Sequence, residues 1–393
     1  MSINKLLIAA AGSGKTTYLV KQAIESNGKR ILITTYTKSN AEEIRQKIKE
    51  ENRKITGQEI VPSNITVEEW FTFLLRHGVR PFKATLSEDL KYKKIGFKLS
   101  TKRSGAKNAD KNIYWGEEEN LLRFYFGKDY KIFSDKISKF IHSCDIKTNG
   151  EFKERMSKYF DQIYIDEVQD LAGWDLEIVK LFFESDSNVL LVGDPRQTVY
   201  LTNHASKHPR YKNGRIDDFV NEKCKKCNVV IDPETLKVTH RNTQKIAAFS
   251  SRLYPNYPAT ESCKCIKCRP LNPKHRGVFL VRTSDVDDLK QVDKDLTTKV
   301  LRFKNSTNEE MNIGVSKGLT FDRVIIYPTK KIVDWIKGSD SLPDTTRAKF
   351  YVALTRARYS SFIVYDYVGT ENFTQGIQLY NDESIQIGLF DHE

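Results

Sequence analysis

The chain has 393 residues, 39% of them hydrophobic and 29% charged, with a formal net charge of +13. That length allows two to three domains with a sizeable core, and the composition is that of an ordinary soluble protein, not of a repeat or low-complexity chain. The positive balance favours an anionic partner, nucleic acid before a membrane surface, with a lysine-rich solvated exterior as the alternative reading of the same charge. No apolar run approaches the roughly 20 residues of a bilayer span, so no membrane partner is expected.

In chain order, the apolar run KLLI leads straight into AAAGSGKTT at 9–17. This leaves no place for a signal peptide with its own cleavage site, and a cytoplasmic protein is expected. In that compartment the six cysteines stay reduced or bind metal. The nonapeptide is close to the phosphate-binding pattern G-x-x-x-x-G-K-[ST], with Ala9 in place of the first glycine and Ala10, Ala11 and Ser13 filling the loop. Gly12 and Gly14 let backbone N–H groups approach phosphates. Lys15 reaches the β- and γ-phosphates, and the Thr16 hydroxyl holds Mg²⁺. From Thr17 onward a helix presents its positive end to the same anion. The nucleotide expected is ATP.

RILITT at 30–35 predicts a buried strand, 38–51 a helix capped by Ser39 or Asn40, and VEEWFTFLLR at 67–76 another helix. Residues 81–160 break the alternation. Between 83 and 111 nine Lys/Arg stand against three Asp/Glu, followed by the aromatic stretch NLLRFYFGKDYKIF. This predicts an insertion whose cationic part either contacts phosphates or is a solvated loop. QIYID at 162–166 and NVLLVGD at 188–194 are apolar strands ending in acids. A strand that ends in Asp166-Glu167 puts two carboxylates at the edge where open parallel sheets bind ligands. Asp166 suits the magnesium and Glu167 the attacking water. Gln197, in VGDPRQTVY, is placed to sense the γ-phosphate. LKVTHRN at 236–242, a helix from Thr243, and strands at 277–282, 322–328 and 361–367 complete the pattern.

Cys224-x-x-Cys227 is followed after 35 residues by Cys263-x-Cys265-x-x-Cys268. Two C-x-x-C pairs suit a structural Zn²⁺, with Cys224, Cys227, Cys265 and Cys268 as ligands and Cys263 as a swap. His204, His208 or His275 is an alternative fourth ligand, and a [4Fe–4S] cluster is the alternative metal group. Cys144 is read as an isolated thiol.

Taken together, these blocks resemble the UvrD/Rep-type superfamily 1 helicases. AAAGSGKT resembles the family's A-x-x-G-x-G-K-T, so Ala9 is the expected residue there. TYTKSNAEEIRQKI at 35–48, IDEVQD, GDPRQTVY, LKVTHRN, VSKGLTF at 315–321 and FYVALTRAR at 350–358 resemble later blocks in the same order. The resemblance implies a DNA-dependent ATPase that moves 3′ to 5′ on single-stranded DNA, with RNA left open as the strand. It implies arginine fingers at Arg241 and Arg356, water and γ-phosphate positioning by Gln197, and nucleotide contacts at His240, Lys317 and Gly318. It also implies single-strand contacts at Thr35, Tyr36, Thr37 and Tyr200. A second implied reading is an ATP-gated DNA-binding switch that regulates a partner nuclease, as in phage-defence pairs.

The resulting expectation is α/β: two RecA-like parallel-sheet domains, an inserted mostly helical basic segment and a small zinc knuckle. Residues 1–80 and 156–222 form the first domain, 81–155 the insertion, and 223–393 the second domain with its Cys-rich element. Departures from the family are plain. Eight residues precede Ala9, where relatives carry an adenine-reading glutamine segment. His240 replaces an adenine-stacking tyrosine, Thr320 a ribose-contacting glutamate and Thr202 a DNA-stacking tryptophan. About seventy residues separate the Arg241 block from VSKGLTF, too few for the bulky accessory domain.

Overall fold

The computed structural model describes residues 4–100, 103–108, 113–199, 207–304, 307, 309–339, 341–369 and 371–380. The chain divides into two compact units. The first comprises residues 1–8, 15–195 and 200–232; the second comprises 9–14, 196–199 and 233–393.

The strands of the first unit are, in chain order, β1 Asn4–Ile8, β2 Ile31–Thr35, β3 Ile65–Glu69, β4 Gly96–Lys98, β5 Ala106–Asn108, β6 Ile113–Tyr114, β7 Lys131–Phe133, β8 Gln162–Asp166, β9 Asn188–Gly193 and β10 Val229–Asp232. Six of them make one sheet, ordered β10-β1-β9-β8-β2-β3 and parallel throughout. Leu6, Leu7, Leu32, Ile33, Ile163 and Leu191 are all buried, which explains why these strands read as continuous apolar runs rather than alternating ones. Because β10 pairs with β1, the first sheet extends beyond the boundary at 222 that the sequence suggested.

Two local expectations are corrected. The helix after β2 is Lys38–Thr56, and its cap is Thr37, whose hydroxyl accepts the Asn40 N–H; Ser39 and Asn40 lie inside the helix. The segment 67–76 is not one helix. Its start belongs to β3, paired with β2 from Ile31↔Ile65 to Thr35↔Glu69, and a helix begins only at Trp70 and passes into a π-helical turn at Leu75–Val79. The insertion is helical in its later part, Ser134–Lys147 and Glu151–Tyr159, while the basic stretch itself carries the short strands β4 and β5. Phe124, Tyr125, Phe126 and Phe140 pack edge to face and give this region its own aromatic core.

The second unit holds β11 Val238–Thr239, β12 Glu261–Ser262, β13 Gly277–Val281, β14 Thr298–Arg302, β15 Glu310–Asn312, β16 Phe321–Tyr327, β17 Ala357–Val364 and β18 Ile377–Leu379. Its six-stranded sheet runs β15-β14-β16-β17-β13-β18, again all parallel. Alternate residues serve opposite faces. Val278, Leu280, Val324, Ile326 and Ile363 pack with Ile246 and Phe249 of helix Gln244–Ser251, while Phe279, Val281, Ile325, Phe362 and Val364 pack with Val286 and Leu289 of helix Val286–Gln291. The molecule is thus mixed α/β, with a helix-covered parallel sheet in each unit.

Candidate nucleotide site

In the first unit, helix Lys15–Glu25 and strand β8 bring four of the sequence-predicted residues together. Lys15 Nζ lies 3.5 Å from Glu167 Oε1, and the Thr16 hydroxyl donates to Asp166 Oδ2 at 3.0 Å. The Glu167 N–H donates to Asp166 Oδ1 at 2.9 Å. Thr17 is half-buried in the first turn of the same helix. Asp166 is the last residue of β8, so the cluster sits at the carboxyl edge of the parallel sheet, as expected of a ligand site.

Glu167 has φ 56° and ψ 39°, a left-handed conformation that a non-glycine residue adopts at a cost of about 1–3 kcal/mol. Gln169 holds it there. The Gln169 amide donates to Glu167 Oε2, and its carbonyl oxygen accepts the Asp194 N–H at 3.1 Å. A side chain at Gly193 would approach that oxygen to 2.4 Å, so the glycine in VGD makes room for the glutamine. Gln169 was within the IDEVQD block and received no role from sequence, because an amide has no chemistry of its own until its partners are known.

Burial, then the adjacent Glu167 carboxylate, push the Asp166 carboxyl above its ordinary range, against the pull of Lys15 and the Thr16 hydroxyl. A buried carboxylate in that condition is one that a divalent cation returns to its charged form. With the Thr16 hydroxyl beside it as a neutral oxygen donor, the pair fits Mg²⁺.

In the second unit, residues 9–14 are backed by β11 and its flanks. The Ala10 N–H donates to Leu236 O at 2.8 Å, the Thr239 hydroxyl to Ala11 O at 2.7 Å, and the His240 N–H to Gly12 O at 2.9 Å. Arg196, 3% exposed, donates to Ala9 O at 2.8 Å, a second contact that sequence reasoning missed. Carbonyl and N–H groups of one trans peptide point in opposite directions. Anchoring the Ala11 carbonyl therefore aims the Gly12 N–H the other way. Gly12 has φ +72°, and a Cβ there would come within 2.6 Å of Arg241 Cβ, which is why no larger residue fits. Ser13 is buried, and Gly14 is left-handed at φ 81°.

The same unit joins Gln197 to Arg356: the guanidinium donates to Gln197 Oε1 at 2.8 Å and to the carbonyls of Val352 and Leu319 at 3.2 and 3.3 Å, and Arg356 is 1% exposed. Arg241 Nη1 and Asn242 Nδ2 both donate to Thr355 O, at 3.1 and 3.2 Å, so the two arginine-bearing segments are tied at the residue before Arg356. Lys317 is half-buried and Gly318 exposed, in the turn after β15. Among the expected DNA contacts, Thr35 is buried at the end of β2. Tyr36 is half-buried edge-on to Phe71 at 5.6 Å, its hydroxyl pKa raised by burial and by Asp175 and Asp170, and Thr37 is the exposed helix cap. Tyr200, Thr202 and His204 lie outside the described residues.

The cysteines separate by unit. Cys224 and Cys227 belong to the first and are buried, and burial followed by the neighbouring thiol pushes Cys224 up to about 12. Cys263, Cys265 and Cys268 belong to the second. There, Cys263 and Cys268 gather with His240. His208 is hydrogen-bonded to Glu177 at 2.6 Å, and His275 is nested among Phe279, Phe362 and Tyr380. Cys144 is fully buried.

The sequence AAAGSGKT leading into helix Lys15–Glu25, with Lys15 and Thr16 meeting a carboxylate pair at the end of β8 of a parallel sheet, defines a nucleoside-triphosphate-binding protein of the P-loop class. The sequence model of the family described as AAA domain matches residues 2–203, more than half of the chain, and the chain belongs to that family, on its UvrD/Rep-like superfamily 1 helicase branch. It is 24% identical over 298 residues to a probable DNA helicase II homolog of Mycoplasma capricolum, covering 64% of this chain and 38% of that protein. It is 24% identical over 232 residues to the ATP-dependent DNA helicase Rep of Buchnera aphidicola, covering 50% of this chain and 36% of that protein. The chain thus spans less than two-fifths of the length of these curated relatives. Among solved structures it is similar to the Arterivirus nonstructural protein 10 helicase, at 16% identity and TM-score 0.43 over 92% of this chain and 59% of that one. The complex of that helicase with DNA gives 15% identity and TM-score 0.44, over 93% and 61%. No helix among the described residues is long and apolar enough to cross a membrane.

Proposed function

We propose that this chain hydrolyses ATP and couples hydrolysis to movement along single-stranded DNA, 3′ to 5′. The observation that carries the reading is the Lys15–Thr16–Asp166–Glu167 cluster at the carboxyl edge of β8. In this mechanism, backbone N–H groups of residues 9–14 and the Lys15 ammonium bind the phosphates. Thr16 and Asp166 would hold Mg²⁺, which when bound supplies neutralisation of phosphate charge. Glu167, fixed by Gln169, accepts the proton of the attacking water. Gln197 orients that water against the γ-phosphate, and the Arg241 and Arg356 guanidinium groups neutralise charge that builds on the transferring phosphoryl. Lys317 and Gly318 are assigned to the nucleotide, and Thr35, Tyr36, Thr37 and Tyr200 to the strand, where each stacked base is worth about 1–3 kcal/mol.

The test is ATP turnover by the purified chain with single-stranded DNA, with single-stranded RNA and with neither, alongside streptavidin displacement from each end of a biotinylated oligonucleotide. Turnover should rise many-fold with DNA, displacement should occur from one end, and Lys15→Ala should abolish both. Turnover indifferent to any strand overturns the motor. DNA binding that changes with a non-hydrolysable analogue, without displacement, supports the nuclease-regulating switch instead.

A further inference from the structure

Strands β11 and β12 form a two-stranded parallel pair, with Val238 opposite Glu261 and Thr239 opposite Ser262. Parallel strands end at the same edge. The next residue on each, His240 and Cys263, therefore emerge side by side. The Cys263 N–H continues the ladder by donating to Thr239 O at 2.9 Å. Beyond it a single 3-10 turn, Ile266–Cys268, folds the chain back, and Cys268 Sγ comes to 3.8 Å from His240 Nδ1. One ligand atom each from His240, Cys263 and Cys268 lies within 4.8 Å of the others. Zinc–sulfur and zinc–nitrogen bonds of ordinary length give a tetrahedron with edges of about 3.3–3.8 Å, so a small inward movement closes the site. Cys265 immediately precedes that turn, and the Cys268 N–H donates back to Cys265 O at 3.3 Å, so the turn brings Cys265 beside Cys268.

We propose that His240, Cys263, Cys265 and Cys268 bind one Zn²⁺ as a closed Cys₃His structural site. Three thiolates and Zn²⁺ carry a net charge of −1. Lys264 and Lys267 flank the ligands in sequence, and Arg269 places Nη1 and Nη2 3.7 and 3.6 Å from Cys263 Sγ, so the surroundings compensate that charge. The site takes its histidine from the segment that backs the glycine loop, whose own N–H donates to Gly12 O at 2.9 Å. Metal binding would therefore fix the backing of residues 11 and 12 and the position of Arg241 next to it. Cys224 and Cys227, expected from spacing to supply half of a four-cysteine site, are not part of this set.

Metal content is read without ATP turnover, so this inference stands or falls separately from the motor. The full chain, purified under reducing conditions, should carry one zinc by native mass spectrometry. Its Co²⁺-substituted form should show tetrahedral absorption with the ligand field of three sulfurs and one nitrogen. His240→Cys should keep one metal and shift the cobalt bands toward those of a four-sulfur site. Cys263→Ser combined with Cys268→Ser should lose the metal, and Cys224→Ser combined with Cys227→Ser should keep it. A metal-free chain, an iron–sulfur absorption spectrum, a four-sulfur cobalt spectrum of the unaltered chain, or cobalt bands unmoved by His240→Cys each overturn the assignment.

Discussion

At the scale of single residues, the catalytic prediction with the clearest geometry concerns Gln169. It donates to Glu167 and accepts from Asp194, and so ties the carboxylate to the end of β9. Gln169→Ala removes the amide that donates to Glu167 Oε2, leaving the left-handed backbone and the Lys15 ion pair to position the carboxylate. If Glu167 is the base, turnover should fall by about 10²-fold or more while KM for ATP stays within a few-fold, because phosphate binding is untouched. Steady-state kinetics decide this, and an undiminished kcat removes Gln169 from the mechanism. Lys15, Thr16, Asp166 and Glu167 were legible in the sequence because ammonium, hydroxyl and carboxylates each bring chemistry that their spacing implies. Gln169 was not, since its function is a bridge to a backbone N–H 25 residues away. Nor was the proposed metal role of His240, which the sequence offered only as a nucleotide contact, because its neighbour Cys263 is delivered by strand pairing rather than by sequence spacing.

At the scale of an element, the π-helical turn Leu75–Val79 carries a histidine in an apolar setting. His77 is 7% exposed, stacks on Phe73 at 5.4 Å and meets Tyr159 and Phe160 edge-on. Burial first, and then the positive charges of Arg155 and Arg76, lower its pKa to about 4 from 6.5. The folded chain thus binds this proton less readily than the unfolded chain. The neutral ring's contribution is fully present above pH 6.5 and is lost as pH falls through 4, a difference of about 3 kcal/mol at full protonation. His77→Phe keeps the ring contacts and removes the proton. Its denaturation free energy should therefore fall less steeply than the parent's between pH 6.5 and 4, and parallel slopes would rule out the histidine as the cause. The sequence concealed this element's start. Val67, Trp70, Phe71 and Leu74 have helical spacing, yet β3 takes the first part of the run because its hydrogen-bonding partner is β2, some thirty residues earlier. Local periodicity cannot report a partner at that distance. The continuous apolar strands β8, β9, β13 and β16 were legible, because burial on both faces leaves no polar alternation to confuse them.

At the scale of the whole molecule, a net charge of +13 has two physical readings: a track for phosphates, or a solvated exterior that keeps the protein soluble. The basic stretch of the insertion is where they can be separated. Several of its cations lie over aromatic rings, Lys93 at 4.9 Å from Tyr130, Arg103 at 4.4 Å from Tyr114 and Lys107 at 4.6 Å from Trp115, which positions their side chains as a free loop would not. Lys91, Lys94 and Lys98 are exposed, with Tyr92, 89% exposed, among them. Exposed cations interleaved with an exposed aromatic are what a single strand uses, phosphates on the ammonium groups and a base on the ring. Each phosphate neutralised on a single strand contributes about 0.7 to the slope of log affinity against log salt. Replacing Lys91, Lys94 and Lys98 by Gln should therefore weaken single-stranded DNA binding and reduce that slope by up to about 2. Fluorescence anisotropy across a salt series reads both quantities. A solvated exterior would lose the same three charges with the slope unchanged, because no counterions are released from phosphates these side chains never meet, and that outcome would place the strand's path away from the insertion.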